Sequence, residues 1–391
     1  MNQVLVPLEL NDFSLPVTVN YDNDYYEKLY LLLENYLKYI KTVPHIPTSC
    51  LDQTEENILL ISKALICYKN ARLDLAKEAI KKIIKPYEDD AFIVTDLNRS
   101  YAFRGMAGIQ HKLTNDSYST VFKDTYDEMN DPPLSFFKGR VEIKDLESKD
   151  MLHIPFDKRG IVSTQRFSIP GVPCMYLSTS SIGCWLELNM PREDLFQVSS
   201  YEIPLPELKV LNLCISQYLL NGTFAGYLSE EQISNSLPLI EIFPLVCATS
   251  FQVLDDNRTF KSEYIISQLV MQVANELNIQ GIAYTSKKML DLYAYPFLAN
   301  LALLLPIDAN EYDYPYYKHS SLINLTNPIR FSDFLKKYKD KPISKKSYCN
   351  AVYGKAEYEN IDLHGDIFPY TSSSFSKFDN YLVSQNHSKF N

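Results

Sequence analysis

Residues His153 to Leu188 read HIPFDKRGIVSTQRFSIPGVPCMYLSTSSIGCWLEL, and they hold the chain's densest set of chemistry-bearing side chains. Arg159 and Arg166 precede a turn at Ile169-Pro170-Gly171, Tyr176 and Ser178 follow it, and Glu187 closes the run. Proline and glycine interrupt regular structure at the turn. The apolar run Val172 to Leu177 then reads as a buried strand. Glu187 stands within Cys184-Trp185-Leu186-Glu187-Leu188, where a lone carboxylate is hard to bury without a partner. It is the best carboxylate in the sequence for chemistry.

Working outward, the pattern is mixed from Ser135 to about Pro306, with strand candidates at Val172–Ser178, Lys209–Cys214 and Gly281–Thr285. One helix intervenes at Lys261–Asn278, with Ile266, Leu269, Val270, Val273 and Leu277 on one face. Before this region the chain reads as helical. Asp24–Lys41 places Tyr26, Leu29, Tyr30, Leu33, Tyr36, Leu37 and Ile40 on one stripe. Asp52 with Glu55 resembles a capping box opening a run to Ile84, which Asn70-Ala71-Arg72 bends into a hairpin. Asn130-Asp131-Pro132-Pro133 is a breaker and the natural seam. The expected class is therefore α+β: a helical region over 1–130, a mixed β domain over 135–306, and a polar extension over 307–391. That extension has one helix candidate at Phe331–Lys337.

Composition excludes more than it assigns. A net charge of −10 argues against a general nucleic-acid binder, which needs a basic field to neutralise phosphates. A local basic pocket for a small anion would stand out against that field. The 7 cysteines form no CxxC, and several lie in apolar runs, which fits reduced thiols and a cytoplasmic protein. The start MNQVLVPLELNDF lacks the basic and long apolar parts of a secretion signal. No run reaches the roughly 18 apolar residues of a membrane span. The 6 histidines are scattered without metal-ligand spacing, so no metal is expected. Phosphate loops, HExxH and GxSxG elbows are absent.

Three motif blocks occur in an order that resembles the RES domain, a family named for its Arg, Glu and Ser residues. The first is Leu134-Ser-Phe-Phe-Lys-Gly-Arg140, with Lys138 where the family usually has arginine and Arg140 two residues later. The second is Gln165-Arg166-Phe167-Ser168, Pro170-Gly171 and then Tyr176-Leu177-Ser178, with Gln for the family's Gly and Ser for its Asn. The third is Tyr264 with Gln268-Leu269, then Gly281-Ile-Ala-Tyr284-Thr-Ser286. His153 lies in a family-like His-Ile-Pro-Phe run and reads mainly as a packing residue that shapes the pocket.

The resemblance implies an ADP-ribosyltransferase-like core and NAD⁺ as substrate. On it, Glu187, Arg166, Ser286 and Tyr176 are the catalytic candidates, while Arg140, Lys138, Tyr284 and Gln268 bind the dinucleotide. It further implies cleavage of the nicotinamide–ribose bond by water or phosphate in a growth-inhibiting toxin or defence effector. Protein ADP-ribosylation and a silent RES-like binding module are the alternatives, the latter kept open by Lys138. An antitoxin or a second copy is a partner that the N-terminal helices would meet. Neither nucleic acid nor membrane is expected as a partner.

Overall fold

The structure is a computed structural model. It describes residues 15–43, 45–103, 134–161, 164–204, 208–215, 220, 230–253, 258–288, 297–304, 323–338, 349–352, 360–363, 366–369 and 373–389. The Asn130–Pro133 breaker and the Pro306 boundary lie outside the described residues.

In chain order a short strand β1 (Val17–Val19) leads to three helices, α1 (Asp22–Ile40), α2 (Thr48–Lys69) and α3 (Leu73–Ile84). Strands β2 (Val94–Asp96), β3 (Ser135–Val141) and β4 (Met175–Ser178) precede a two-turn helix, α4 (Ser181–Glu187). Then come β5 (Phe196–Glu202), β6 (Lys209–Leu213), α5 (Glu230–Thr249), β7 (Phe251–Val253), α6 (Ile265–Glu276), β8 (Gly281–Thr285) and β9 (Ala299–Leu303). The remainder adds β10 (Asn324–Leu325), β11 (Ile329–Arg330), α7 (Phe331–Tyr338), β12 (Cys349–Val352), β13 (Asn360–Leu363), β14 (Asp366–Pro369), α8 (Ser374–Val383) and β15 (Ser388–Lys389). The fold is α+β.

Most strands join one sheet in the order β15-β10-β5-β3-β4-β9-β8-β6-β2, with β11 also on β5. All its pairings are antiparallel except β6 with β8. A central row crosses four strands: Tyr284 opposes Asn300, Asn300 opposes Ser178, and Ser178 opposes Phe137. Opposed residues share a face of a sheet, so this row lies on one face. Tyr176, two residues before Ser178, lies on it too.

That face is covered by two separate apolar layers. The first joins α1, α2 and α3 to α5 and α6, and includes Ile282 and Ala302 of the sheet. The second is aromatic: Trp185 of α4 with Phe331 and Phe334 of α7 and Phe375 and Phe378 of α8, against Phe137, Phe196 and Val198. The opposite face carries a third cluster with Phe136, Leu177, Tyr201, Ala283 and Leu301. The site lies where β3 and β4 part: Tyr176, Ser178, Asn300 and Tyr284 lie on the first face, whereas Lys138, Arg140 and Leu177 alternate to the opposite one.

The N-terminal helices share their core with the mixed β region. The Tyr25 hydroxyl donates to Ala248 O at 3.1 Å and the Tyr36 hydroxyl to Ile240 O at 2.9 Å. β1 pairs in parallel with β7. The α1 stripe runs through Tyr25, Leu29, Leu33, Tyr36 and Ile40, all buried, whereas Tyr30 is 42% exposed. The stripe is thus rotated from the expected one at its N-terminal end. Likewise α2 starts at Thr48 after Pro47, so Asp52 and Glu55 are interior helix residues and form no capping box. The hairpin at Asn70-Ala71-Arg72 is present, with Ala71 in the left-handed region at φ 57°.

α5 was not legible from sequence. Pro238 and Pro244 fall inside it and would argue against a helix. Leu239 to Ala248 are nevertheless almost wholly buried, and a helix apolar on all sides lies at the centre of a core. The C-terminal region is wrapped onto the body through β10, β11 and β15 at the sheet edge and α8 against α4. No helix among the described residues is long and apolar enough to cross a membrane.

Candidate functional site

β3 and β4 pair through a single residue pair, Phe137 with Ser178, and diverge beyond it. The divergence opens a cavity of about 420 Å³, lined on one side by Lys138 and Arg140 and on the other by Cys174, Tyr176 and Leu177. A second cavity of about 280 Å³ adjoins it, lined by Arg166, Lys261, Tyr264, Lys287 and Lys288 among others. Gln165, Tyr176, Glu187 and Tyr284 line both, so they stand at the boundary between the two.

Helix α4 brings the carboxylate there. Ser180 caps its start by accepting from Gly183 N at 3.1 Å, and the Asp379 carboxylate of α8 accepts from Ser181 N at 3.0 Å. Gly183 and Glu187 are four residues apart and therefore face the sheet together. Gly183 lies over Ser178, so closely that a Cβ there would sit 2.1 Å from Ser178 Oγ. Glu187 lies over the next strand, where Asn300 Nδ2 donates to its Oε1 at 2.7 Å. The spacing of one helical turn thus matches the step between neighbouring strands. Beyond α4 the chain reverses through Asn189 and Met190, both left-handed at φ 59° and 55°. Met190 N donates back to Trp185 O at 2.8 Å, which holds this unusual turn.

The electrostatics are one-sided. Among the described residues, six side chains lining the two cavities are lysine or arginine, and Glu187 is the one acidic residue there. In a chain of net charge −10 this is a concentrated positive field, suited to an anionic ligand. Lys138 Nζ at 2.7 Å and Arg140 Nη2 at 3.3 Å both donate to Leu152 O. Arg140 Nε is buried without a hydrogen-bond partner. Burial pushes the Lys138 amine down to about 7, with Arg140 adding repulsion. Burial likewise holds His153 at about 4, so its ring is neutral, and pushes the Cys174 thiol up to about 12, too high for a nucleophile at neutral pH.

The other expected residues divide by position. Tyr176 and Tyr284 present their rings to both cavities. Tyr176 is fixed by donating from its hydroxyl to Phe167 O at 2.6 Å, and Tyr284 packs on the Phe167 ring at 4.8 Å. Arg166 borders the smaller cavity, but its fork donates to Thr249 O at 2.9 Å and Phe251 O at 2.5 Å. Its guanidinium therefore fastens the Gln165–Ser168 loop to the junction of α5 and β7, with Tyr264 stacked 5.1 Å away. Ser286 and Gln268 line neither cavity. Ser286 is fully buried, and its hydroxyl accepts from Lys288 N at 3.3 Å, which shapes the turn that delivers Lys287 and Lys288.

Sequence reasoning missed Asn300, Lys261, Lys287 and Lys288. Asn300 had a detectable signal: it is the sole polar residue within Phe297-Leu-Ala-Asn-Leu-Ala-Leu-Leu304, and a polar group in a buried apolar strand needs a reason. Among the described residues no group of three or more His, Cys, Asp or Glu is placed to hold a metal, and six cysteines are unpaired.

With this geometry in view, the chain was compared with known proteins. It is 30% identical over 245 residues to the Bacillus subtilis (strain 168) protein "Putative toxin YopC". The alignment covers 59% of this chain and 54% of that protein, so the chain spans about half of its relative's length. No family model matches the chain, and no solved structure matches it.

Proposed function

We propose that this chain is a RES-like enzyme that cleaves the nicotinamide–ribose bond of NAD⁺ and thereby acts as a growth-inhibiting toxin. The observation that carries the reading is Glu187, a single carboxylate oriented by Asn300 at the boundary between two cavities that lysines and arginines line. Similarity to a protein named as a toxin supports the biological role. The three motif blocks support the substrate.

Cleavage breaks the C–N glycosidic bond, and its electron pair goes to the ring nitrogen. Nicotinamide is cationic while bound and leaves neutral, so it needs no proton donor. The anomeric carbon becomes oxocarbenium-like, as in glycoside cleavage. The Glu187 carboxylate stabilises that charge and accepts from the ribose 2′-hydroxyl. Arg140 and the lysines hold the pyrophosphate, which fixes the ribose relative to Glu187. Tyr176 and Tyr284 offer flat apolar surfaces for the departing ring. Water or phosphate then bonds to the anomeric carbon through oxygen and gives up its proton to solvent water.

The test is incubation of the purified chain with NAD⁺, with and without phosphate, and chromatography of the products. Nicotinamide with ADP-ribose, or with ADP-ribose-1″-phosphate, supports the proposal and names the acceptor. NAD⁺ that is bound but intact would favour a silent binding module.

A further inference from the structure

Two polar atoms are buried without a hydrogen-bond partner: Asn300 Oδ1, whose amide holds Glu187, and Ser178 Oγ under Gly183. Both residues are 3% exposed, both line the larger cavity, and they oppose each other across β4 and β9. Buried polar atoms are normally satisfied, and each one left alone costs free energy. Two such atoms on opposed residues of a cavity lining point to hydrogen-bonding groups supplied by a ligand.

The chemistry of that ligand follows from the amide. Glu187 is an acceptor, so Asn300 must turn Nδ2 toward it, and Oδ1 is thereby committed to face elsewhere as an acceptor. The ligand group must donate to Oδ1, and Ser178 Oγ can accept or donate beside it. A hydroxyl does both. A carboxylate, an amide oxygen and a hydroxyl supply the acceptors and the donor that two adjacent hydroxyls of a five-membered sugar ring need.

We infer that Asn300 and Ser178 form a subsite for the 3′-hydroxyl of the ribose being cleaved, beside the 2′-hydroxyl held by Glu187. This rests on the NAD⁺ reading above and extends it to the sugar. Asn300 is also a positioning residue, since its other amide atom fixes Glu187. The sheet register builds the arrangement: Asn300 and Ser178 are locked opposite each other, and Gly183 lets α4 descend far enough for Glu187 to reach the amide.

The experiment compares NAD⁺ with its analogue lacking the 3′-hydroxyl on the nicotinamide ribose, in wild type, Asn300→Ala, Ser178→Ala and Asn300→Asp. A buried polar site rejects a ligand that leaves it unpaired, so wild type should prefer NAD⁺ by about 100-fold in kcat/KM. Asn300→Ala should erase most of that preference and Ser178→Ala part of it, with folding checked by thermal melting. Asn300→Asp keeps the acceptor but sets a second carboxyl against Glu187, so the acid limb of the pH profile should move to higher pH. A purely structural asparagine would leave the preference in place.

Cleavage of both substrates with equal kcat/KM, or a preference that survives Asn300→Ala, would overturn the subsite and leave the proposed function standing; the two atoms would then hold an ordered water only. If no variant cleaves NAD⁺, calorimetric titration with ADP-ribose and 3″-deoxy-ADP-ribose decides separately. Discrimination lost in Asn300→Ala supports the subsite without the cleavage reading, and equal or absent binding overturns it.

Discussion

Asn300 Nδ2 donates to Glu187 Oε1 across 2.7 Å, joining the end of a two-turn helix to a strand 113 residues further along the chain. The bond is possible because α4 crosses the sheet with Gly183 over one strand and Glu187 over the next. Neither residue alone marks the site. The pair does, because it leaves one carboxylate fixed in cavities whose other charged lining side chains, among the described residues, are lysines and arginines.

Gly183 is the first point at which that geometry can be broken. A methyl group there would lie 2.1 Å from Ser178 Oγ and 3.2 Å from Ser178 Cβ. Gly183→Ala should destabilise the fold by about 1–3 kcal/mol through overpacking and lift Glu187 from Asn300. The double variant with Ser178→Ala removes the nearer atom, so it should recover part of the stability lost. Urea denaturation of the four proteins forms the cycle. An additive result would mean that α4 does not rest on Ser178.

Lys138 gives the site a pH dependence. Its amine is held at about 7 by burial and by Arg140, against the usual 10.5. Only the ammonium attracts a phosphate, so KM for NAD⁺ should rise about tenfold between pH 6 and 8, as the charged fraction falls. Stability runs the other way. The unfolded chain keeps this proton up to about 10.5 and the folded chain releases it near 7, so the fold gains stability as pH rises through that window. Lys138→Arg fixes the charge and should flatten the KM profile, as measured by initial rates. An unchanged slope in that variant would remove Lys138 from the anion site.

Arg166 should behave as a support. Its fork satisfies two backbone carbonyls, Thr249 O and Phe251 O, which a lysine cannot bridge in the same way. Arg166→Lys should cost about 1–3 kcal/mol in chemical denaturation, as expected when a buried acceptor loses its partner. If stability is untouched while activity is lost, the guanidinium acts on the substrate directly.

The fold was legible where apolar periodicity and punctuation agree. Gly281–Thr285 is the strand expected from sequence, and the hairpin between α2 and α3 turns at Asn70-Ala71-Arg72. Glu187, Tyr176, Tyr284, Lys138 and Arg140 are brought together from three motif blocks far apart in the chain. What escaped depends on tertiary context. Two prolines concealed α5, whose burial outweighs their cost. Arg166 stood in a motif block as a catalytic candidate, yet sequence cannot show that Thr249 O and Phe251 O occupy its fork. Asn300 could be placed beside Glu187 only through the register of β9 on β4.

The N-terminal helices are expected to be inseparable from the rest. Their apolar faces merge with α5 and α6 in one core, and Tyr36 donates to Ile240 O from within it. Removal of residues 1–90 should leave a chain without a cooperative melting transition, because it exposes the buried faces of α5 and α6. A truncated chain that melts cooperatively would show that the mixed β region is an independent domain.

The most direct measurement is nicotinamide release from NAD⁺ by wild type and by Glu187→Gln, with melting curves of both. The substitution keeps shape and an acceptor for Asn300 but removes the charge that stabilises the cationic ribose. Wild type should release nicotinamide, and Glu187→Gln should be slower by about 100-fold or more with its melting temperature nearly unchanged. Equal rates from the two folded proteins, or NAD⁺ left intact and unbound by wild type, would contradict the account.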